Sequence, residues 1–293
     1  MNIALIDHPV SPDSPDGQIH KHTKFALLQQ GRLIELVDCE TNWVGSVYQG
    51  RVGKVSANFI FVDIGLELSG FLQNKAGMAT LKQGDYVTVR VKRNPTVTVT
   101  EKKGPALVLL DASEQLPNQH IGPISRPQVI AFVKQLFDTP LNKIVTNNSA
   151  LVDEMETHFV QCQIEVVQDP FTTYEIHQKL PTGSKVWLKS GGYLLIEKTT
   201  ACTVIDINTG KHTHKKEDVT HQTNTEAIAE IAYQIRLRNI SGMILIDLIN
   251  NANESQNQQL IDQLKQLTTA DRAQVNVMGI TKLGLLELTR QKI

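Results

Sequence analysis

Between Gly191 and Asn250 the chain reads G-G-Y-L-L-I-E, then A-C-T-V-I-D-I-N-T-G, then N-T-E-A-I-A-E-I-A-Y-Q-I-R-L-R, then G-M-I-L-I-D-L-I-N. This stretch constrains the fold more than any other. Val204-Ile205-Asp206 and Leu245-Ile246-Asp247 are short β-branched or aliphatic runs ending on an aspartate. Runs of this kind fill buried strands. Between them, Ala227, Ile231 and Ile235 recur at helical spacing, and Thr223 with Glu226 three residues later fits a capping box. A strand–helix–strand unit with parallel strands brings both strand ends to the same edge of one sheet. Asp206 and Asp247 then come within reach of one metal ion.

Two carboxylates on strand ends, with the amide of Asn208 two residues beyond the first, suit Mg²⁺. That ion prefers oxygen ligands, keeps several waters and is commonly held by one or two carboxylates beside a phosphate. A strand-terminal aspartate is also a common turn former, so the pair by itself leaves both readings open.

The words I-D-I-N-T-G, E-A-x-x-E-I-A-x-Q-I-R-L-R, I-D-L-I and K-L-G-L-L-E-L-T-R-Q-K are collinear over 185–293. They resemble the catalytic region of the ribonuclease E/G family. The resemblance implies a DNase I-like α/β catalytic subdomain over 185–293. In it Asp206 and Asp247 hold Mg²⁺ (or Mn²⁺), and Asn208 orients the ion or the attacking water. The implied activity is that of a hydrolase: endonucleolytic cleavage of single-stranded RNA in RNA processing or decay, leaving 5′-phosphate and 3′-hydroxyl ends.

From Val47 the pattern changes to short strands, at 47–55, 58–63, 70–72, 85–92 and 97–102, with 106–110 as a possible sixth. Gly, Asn and Pro punctuate them. Strands this short and this close predict a small barrel, with the OB-fold as leading candidate. Alternation puts Phe59, Phe61 and Asp63 on one face and Ile60, Val62 and Ile64 on the other. The segments V-Y-Q-G-R-V, F-V-D-I-G and S-G-F-L resemble the RNA-binding OB barrel of the same family, here 43–111. The resemblance makes Phe61 and Phe71 a base-stacking platform and Lys103 part of the RNA path. An unplaced phenylalanine would otherwise be assigned to the core. The chain carries a net charge of −1. Within 43–105, however, nine Lys and Arg stand against four Asp and Glu, a local excess suited to an anionic partner.

Around the barrel, 2–6 reads as a strand, 25–37 as a hairpin turning at Gln30-Gly31, and 143–175 as strand, helix, strand. By resemblance, 1–42 and 140–184 form an RNase H-like scaffold with a structural role. Residues 112–139 are a short connection with one helix-like run, 128–137. They stand where larger relatives insert a sensor for a 5′-monophosphate. Gln274 stands in place of an arginine of the same pocket. Three further departures lie nearer the catalytic positions: Thr200 for a glutamate, Tyr233 for an arginine and Asn250 for an aspartate. They leave a second reading, a catalytically reduced RNA-binding protein of the same family.

At 41% apolar and 20% charged residues, the composition is that of a soluble globular chain. With 293 residues there is room for two or three small domains. No apolar run is long enough to span a bilayer and no secretory signal opens the chain, so a cytoplasmic, membrane-free location is expected. Cys39, Cys162 and Cys202 are odd in number and widely spaced, against both a disulfide framework and a zinc site. The family's zinc-linked tetramer is not expected, which leaves a monomer or dimer. The Lys211–Lys216 segment, with His212 and His214, reads as a solvated loop able to touch a phosphate backbone rather than a metal site.

The reduced sensor gives a direct test. A 5′-monophosphate held by arginine gains charge-assisted hydrogen bonds, and Gln274 supplies no charge. One RNA carrying either a 5′-monophosphate or a 5′-hydroxyl is expected to be cleaved at nearly equal rates in matched salt. A rate ratio of about tenfold, roughly 1.4 kcal/mol, would show that another basic group serves that end.

Overall fold

The computed structural model describes residues 1–8, 22–39, 43–74, 80–97, 102–116, 121–125, 128–137, 140–210, 217–249 and 253–291. The chain divides into two units: Met1–Gly31 with Leu36–Glu175, and Arg32–Glu35 with Ile176–Ile293.

The first unit holds a mixed sheet and a barrel. Strands β1 (Asn2–Asp7), β2 (Lys24–Gln29) and β3 (Arg32–Asp38) open the chain, with β2 and β3 joined at Gln30-Gly31 as the sequence predicts. Both turn residues have positive φ, 51° and 78°, the left-handed conformation a tight hairpin turn requires. The barrel follows: β4 (Val47–Val55), β5 (Phe59–Asp63), β6 (Gly70–Gln73), β7 (Tyr86–Arg93), the short pair β8 (Thr96–Val97) and β9 (Lys102–Lys103), and β10 (Ala106–Leu109). Strand order β4-β5-β6-β10-β7 closes on itself through a β4–β7 pairing. The result is a closed five-stranded barrel, consistent with an OB-fold.

Of the strand expected at 97–102, residues 98–101 lie outside the described residues. Thr96–Val97 and Lys102–Lys103 pair with each other outside the barrel sheet. Ala106–Leu109, read as an optional sixth strand, instead closes the barrel between β6 and β7. Leu107 is buried in the barrel core and Leu109 packs against it. An unforeseen strand, β11 (Gly122–Ser125), adds antiparallel to β4.

Helix α1 (Val129–Leu136), strand β12 (Lys143–Thr146), helix α2 (Val152–His158), strand β13 (Gln163–Val166) and the single turn α3 (Pro170–Thr173) complete this unit. The sheet order is β13-β12-β1-β2-β3. Strand β1 pairs parallel to β12 and antiparallel to β2, and β12 pairs parallel to β13.

The second unit contains α4 (Ile176–Lys179), β14 (Lys185–Trp187), β15 (Tyr193–Lys198), β16 (Cys202–Asn208), α5 (Glu217–Leu237), β17 (Gly242–Asp247), α6 (Glu254–Thr268), β18 (Val275–Ile280) and β19 (Leu285–Arg290). Its sheet runs β14-β15-β16-β17-β19-β18, with β16 and β17 parallel across the α5 crossover. Leu194, Ile196, Ile205, Ile207, Ile244, Ile246, Leu286 and Leu288 cover one face. They form a single core with Ala227, Ile228, Ile231 and Ile235 of α5 and Leu260, Ile261 and Leu264 of α6. The alternate residues Val204, Asp206, Asn208 and Leu245 are only half-buried. The β16 and β17 runs are thus buried on one side only. Continuous apolar sequence implies cover on both sides, but here both helices lie against one face.

Polar side chains fix the ends of the second unit. Arg290 donates from Nε and Nη2 to Asp271 at 2.8 and 3.0 Å, and from Nη1 to Asn239 Oδ1 and the Ile240 carbonyl. Both partners of this ion pair are almost wholly buried. Glu35 is buried between Arg236, at 2.9 Å, and Arg272. Such pairs are maintained only when their hydrogen bonds are satisfied, as they are here.

Candidate active site and nucleic-acid interface

The register of β16 against β17 makes Asp206 and Asp247 direct cross-strand neighbours. Neighbouring strands lie about 4.8 Å apart and directly paired residues share one face, so the two carboxylates sit side by side on the face away from the helices. Asp247 is exposed and Asp206 half-buried. Asn208 lies two residues on, hence on the same face, and donates from Nδ2 to Asp206 Oδ2 at 2.7 Å. The three residues singled out in the sequence are therefore brought together. Asn250 and the Lys211–Lys216 segment, including His212 and His214, lie outside the described residues.

Local backbone geometry holds Asn208 in place. Gly191, Gly210 and Gly192 allow the 188–192 turn to lie directly on the chain after Asn208. A Cβ on Gly210 would approach the Gly191 carbonyl oxygen to 2.4 Å, and one on Gly192 the Asn208 carbonyl oxygen to 2.6 Å. Gly210 also has φ of +67°, a conformation that side-chain-bearing residues rarely adopt.

The expected capping box at Thr223 and Glu226 is not formed. Helix α5 begins at Glu217, which places Thr223 inside it. Glu226 instead accepts hydrogen bonds from the backbone N–H of Lys189, at 2.5 Å, and of Ser190, fixing the turn just described. A second α5 residue was missed in the sequence. Asn224, fully buried, donates to the Ile249 carbonyl at 2.8 Å and accepts from the Ile249 N–H at 3.1 Å. It thereby ties down the backbone two residues beyond Asp247. Its one sequence signal is a short amide at an inward helical position.

Two departures acquire a location. Tyr233 donates its hydroxyl to the Leu33 carbonyl at 2.8 Å, and the Arg32 guanidinium lies over its ring at 3.4 Å. Burial pushes the phenol up from its ordinary value, and the nearby Arg32 opposes that shift. Tyr233 is thus a packing residue. Thr200 is an exposed residue of the turn between β15 and β16.

As a magnesium site, the group offers only oxygen ligands: two ionisable carboxylates and an amide. This donor set matches an ion that binds one or two carboxylates beside water and phosphate. Among the described residues no group of three or more His, Cys, Asp or Glu has metal-binding geometry, so any ion here would draw its remaining ligands from water or substrate.

On the barrel, the predicted alternation holds. Ile60, Val62 and Ile64 are buried, while Phe59 and Phe61 are each 39% exposed. Phe71 lies opposite Phe61 on β6 and is half-buried. Phe59, absent from the predicted platform, meets Phe71 edge-on with ring centroids 5.7 Å apart. The Arg93 guanidinium lies 5.9 Å from the Phe71 ring. Lys103 is exposed on β9, two residues before Pro105, whose carbonyl accepts from the Phe71 N–H at 3.0 Å. Phe61, Phe71 and Lys103 thus occupy one region of the barrel, with Phe59 as a third ring.

The chain thus carries a closed barrel with outward aromatic rings and basic neighbours, and an α/β sheet bearing paired carboxylates. The description "Ribonuclease E/G family" matches residues 121–293, more than half of the chain, and the chain belongs to that family. It is 46% identical over 110 residues to Ribonuclease G of Escherichia coli (strain K12), covering 37% of this chain and 22% of that protein. It is 40% identical over 129 residues to Ribonuclease G of Salmonella typhimurium (strain SL1344), covering 43% and 26%. Over 110 residues it is 43% identical to Ribonuclease E of Synechocystis sp. (strain ATCC 27184 / PCC 6803 / Kazusa), covering 37% and 16%. The matched segment therefore spans about a quarter or less of each relative.

Asn224→Ala removes both bonds to Ile249. Leaving those backbone groups unsatisfied is expected to cost about 1–3 kcal/mol, read as a lower denaturation midpoint. Hydrogen exchange at the Ile249 amide should accelerate beyond the global change. Exchange no faster than elsewhere would show that Asn224 does not position the Asp247 segment.

Proposed function

We propose that the chain is a metal-dependent endoribonuclease acting on single-stranded RNA in RNA processing or decay. The observation that carries this reading is the direct pairing of Asp206 with Asp247, with Asn208 bonded to Asp206. Family membership supports the activity class. The first sheet, order β13-β12-β1-β2-β3, with β12 parallel to both β1 and β13, is compatible with an RNase H-like scaffold. The two-layer second unit is compatible with a DNase I-like subdomain.

Asp206 and Asp247 would hold Mg²⁺ or Mn²⁺. When bound, the ion supplies Lewis-acid polarisation of a phosphate and a lowered pKa for bound water. Asn208 restrains Asp206 through its Oδ2, leaving the carboxylate's other oxygen with acceptor capacity. The exposed carboxylate of Asp247 leaves an accessible side for an RNA backbone. In-line attack of water on phosphorus with departure of the 3′-oxygen would leave 5′-phosphate and 3′-hydroxyl ends, and no side chain need form a covalent intermediate. Phe61, Phe71 and Lys103, now with Phe59, would bind unpaired bases and the backbone. Among the described residues, no helix is long and apolar enough to cross a membrane, and a cytoplasmic enzyme is proposed.

The second reading, an RNA-binding protein without turnover, is favoured by the small acidic set: two carboxylates paired across strands. Incubation of a labelled A/U-rich single-stranded RNA with and without Mg²⁺ separates the two. Cleavage is expected only with the metal, and Asp206→Asn and Asp247→Asn should each abolish it while keeping the folded circular-dichroism signal. Cleavage persisting in EDTA or in either variant overturns the metal assignment. Binding without cleavage selects the second reading.

The barrel is tested separately. Phe61→Ala and Phe71→Ala are expected to weaken RNA binding by about 1–3 kcal/mol each if the rings stack on bases. Unchanged affinity in both, measured by anisotropy of labelled RNA, would remove the platform. Loss of folded signal in Phe71→Ala instead would assign that half-buried ring to the core.

A further inference from the structure

The face of the second-unit sheet that carries the two aspartates also carries an aromatic and cationic cluster. Register carries two adjacent rows across it. One runs Lys185, Leu195, Asp206, Asp247, and the other runs Trp187, Tyr193, Asn208. Directly paired residues share a face, and β14 lies two strands, roughly 10 Å, from β16. Trp187 is 65% exposed. Its ring meets Tyr193 edge-on at 5.4 Å between centroids, and the Lys185 ammonium lies 4.1 Å from the Trp187 ring and 3.8 Å from that of Tyr193.

Trp187 and Tyr193 together put an aromatic pair, rather than a single apolar side chain, at the β14 edge of the sheet. Charged side chains are the usual protection of such an edge, and Lys185 serves that need. Lys185 lies beside both rings, contacts worth about 0.5–1 kcal/mol at an exposed site, and favours the arrangement in which a flat ligand would stack. One face of an aromatic system with an ammonium beside it matches one nucleotide of a single strand, whose base takes the ring and whose phosphate takes the ammonium. The shared rows make that nucleotide a close neighbour of any phosphate bound at Asp206 and Asp247.

We propose that Trp187, Tyr193 and Lys185 form a nucleobase-stacking subsite for the RNA strand whose backbone lies at the Asp206–Asp247 site. The inference rests on the RNA-cleavage reading above and adds a contact that the barrel does not supply. Trp187 provides the stacking surface, Tyr193 braces it from the neighbouring strand, and Lys185 neutralises the phosphate. None of the three takes part in bond cleavage.

The test uses the full chain in EDTA, so that RNA is bound and not cut. The chain has two tryptophans, and Trp43→Phe leaves Trp187 as the sole indole reporter. Titration with an unlabelled oligouridylate is expected to quench that fluorescence, saturating with the affinity found by anisotropy of the same RNA carrying a label. In the otherwise natural chain, Trp187→Ala should weaken binding about 5- to 150-fold, the range of one stacked base, and Trp187→Phe should restore part of the loss. Lys185→Met should reduce the slope of log affinity against log salt by about 0.7, the single-strand value for one phosphate contact. If anisotropy reports binding while Trp187 fluorescence stays constant and Trp187→Ala binds like the parent, the subsite is overturned and the RNA reading stands. If the parent chain binds no RNA in either measurement, and the Asp206→Asn chain binds none in Mg²⁺, both fall. Because Trp187 projects into solvent, the fold is expected to survive its loss. Should it not, the fluorescence of the Trp43→Phe chain still decides.

Discussion

The parallel pairing of β16 with β17 is the constraint on which the second unit depends. Parallel strands cannot be joined by a tight turn and need a long crossover, here the 21-residue helix α5. One face of that helix must bury Ala227, Ile228, Ile231 and Ile235 against the sheet, so its position is set by the core. Its polar residues are placed as a consequence. Glu226 reaches the 188–192 turn and Asn224 reaches Ile249. The first contact fixes the turn packed on the chain after Asn208, and the second fixes the chain after Asp247. A slip of one residue in the β16–β17 register would turn one aspartate toward the helices, where a carboxylate without partners would be strongly disfavoured.

Charge in this unit divides into two kinds. Glu35 with Arg236 and Arg272, and Asp271 with Arg290, are removed from water and satisfied by one another. Removing one partner of such a pair typically costs about 3–5 kcal/mol, because the other charge is left buried. Asp206 and Asp247 face no cation among these contacts and remain open to solvent. The arginines of the R-L-R and L-T-R words that recur in the family-like pattern are thus structural in part: Arg236 and Arg290 hold elements together and touch no candidate substrate surface. Sequence words alone do not separate the two roles, because both call for a charged residue at a fixed position.

Much of the arrangement was legible because it followed from periodicity. Alternation over 59–64 separated the barrel core from its outer face, and the strand–helix–strand pattern placed both aspartates on parallel neighbours. What escaped depended on distant partners. Thr223 and Glu226 satisfied a local capping rule, yet the helix starts earlier and Glu226 is drawn to Lys189 and Ser190. Tyr233 looked like a loss near the catalytic positions, but its neighbours are Leu33 and Arg32, about 200 residues away in sequence. Asn224 gave no local signal beyond a short amide at an inward helical position, because both groups it bonds belong to Ile249, on the chain after another strand. The fifth barrel strand was ambiguous because four residues of ALVL carry too short a pattern to decide their own pairing.

On the proposed reading, the small acidic set has a physical consequence. Asp206 and Asp247 together offer two negative charges, and one oxygen of Asp206 is already engaged by Asn208. Such a pair leaves most of a divalent cation's coordination to water and to substrate oxygens. Binding of the cation and of an RNA phosphate then becomes mutually reinforcing, since each supplies charge or ligands that the other lacks. By linkage, the factor by which a bound cation raises RNA affinity equals the factor by which bound RNA raises cation affinity, so a contact that raises RNA occupancy raises the apparent cation affinity up to that factor. A stacking contact two strands away can therefore compensate for a sparse carboxylate set without touching the reacting atoms. This makes the exposed indole on β14 and the sparse carboxylate pair two sides of one balance, in which strand binding supplies part of the affinity that a larger acidic cluster would provide directly.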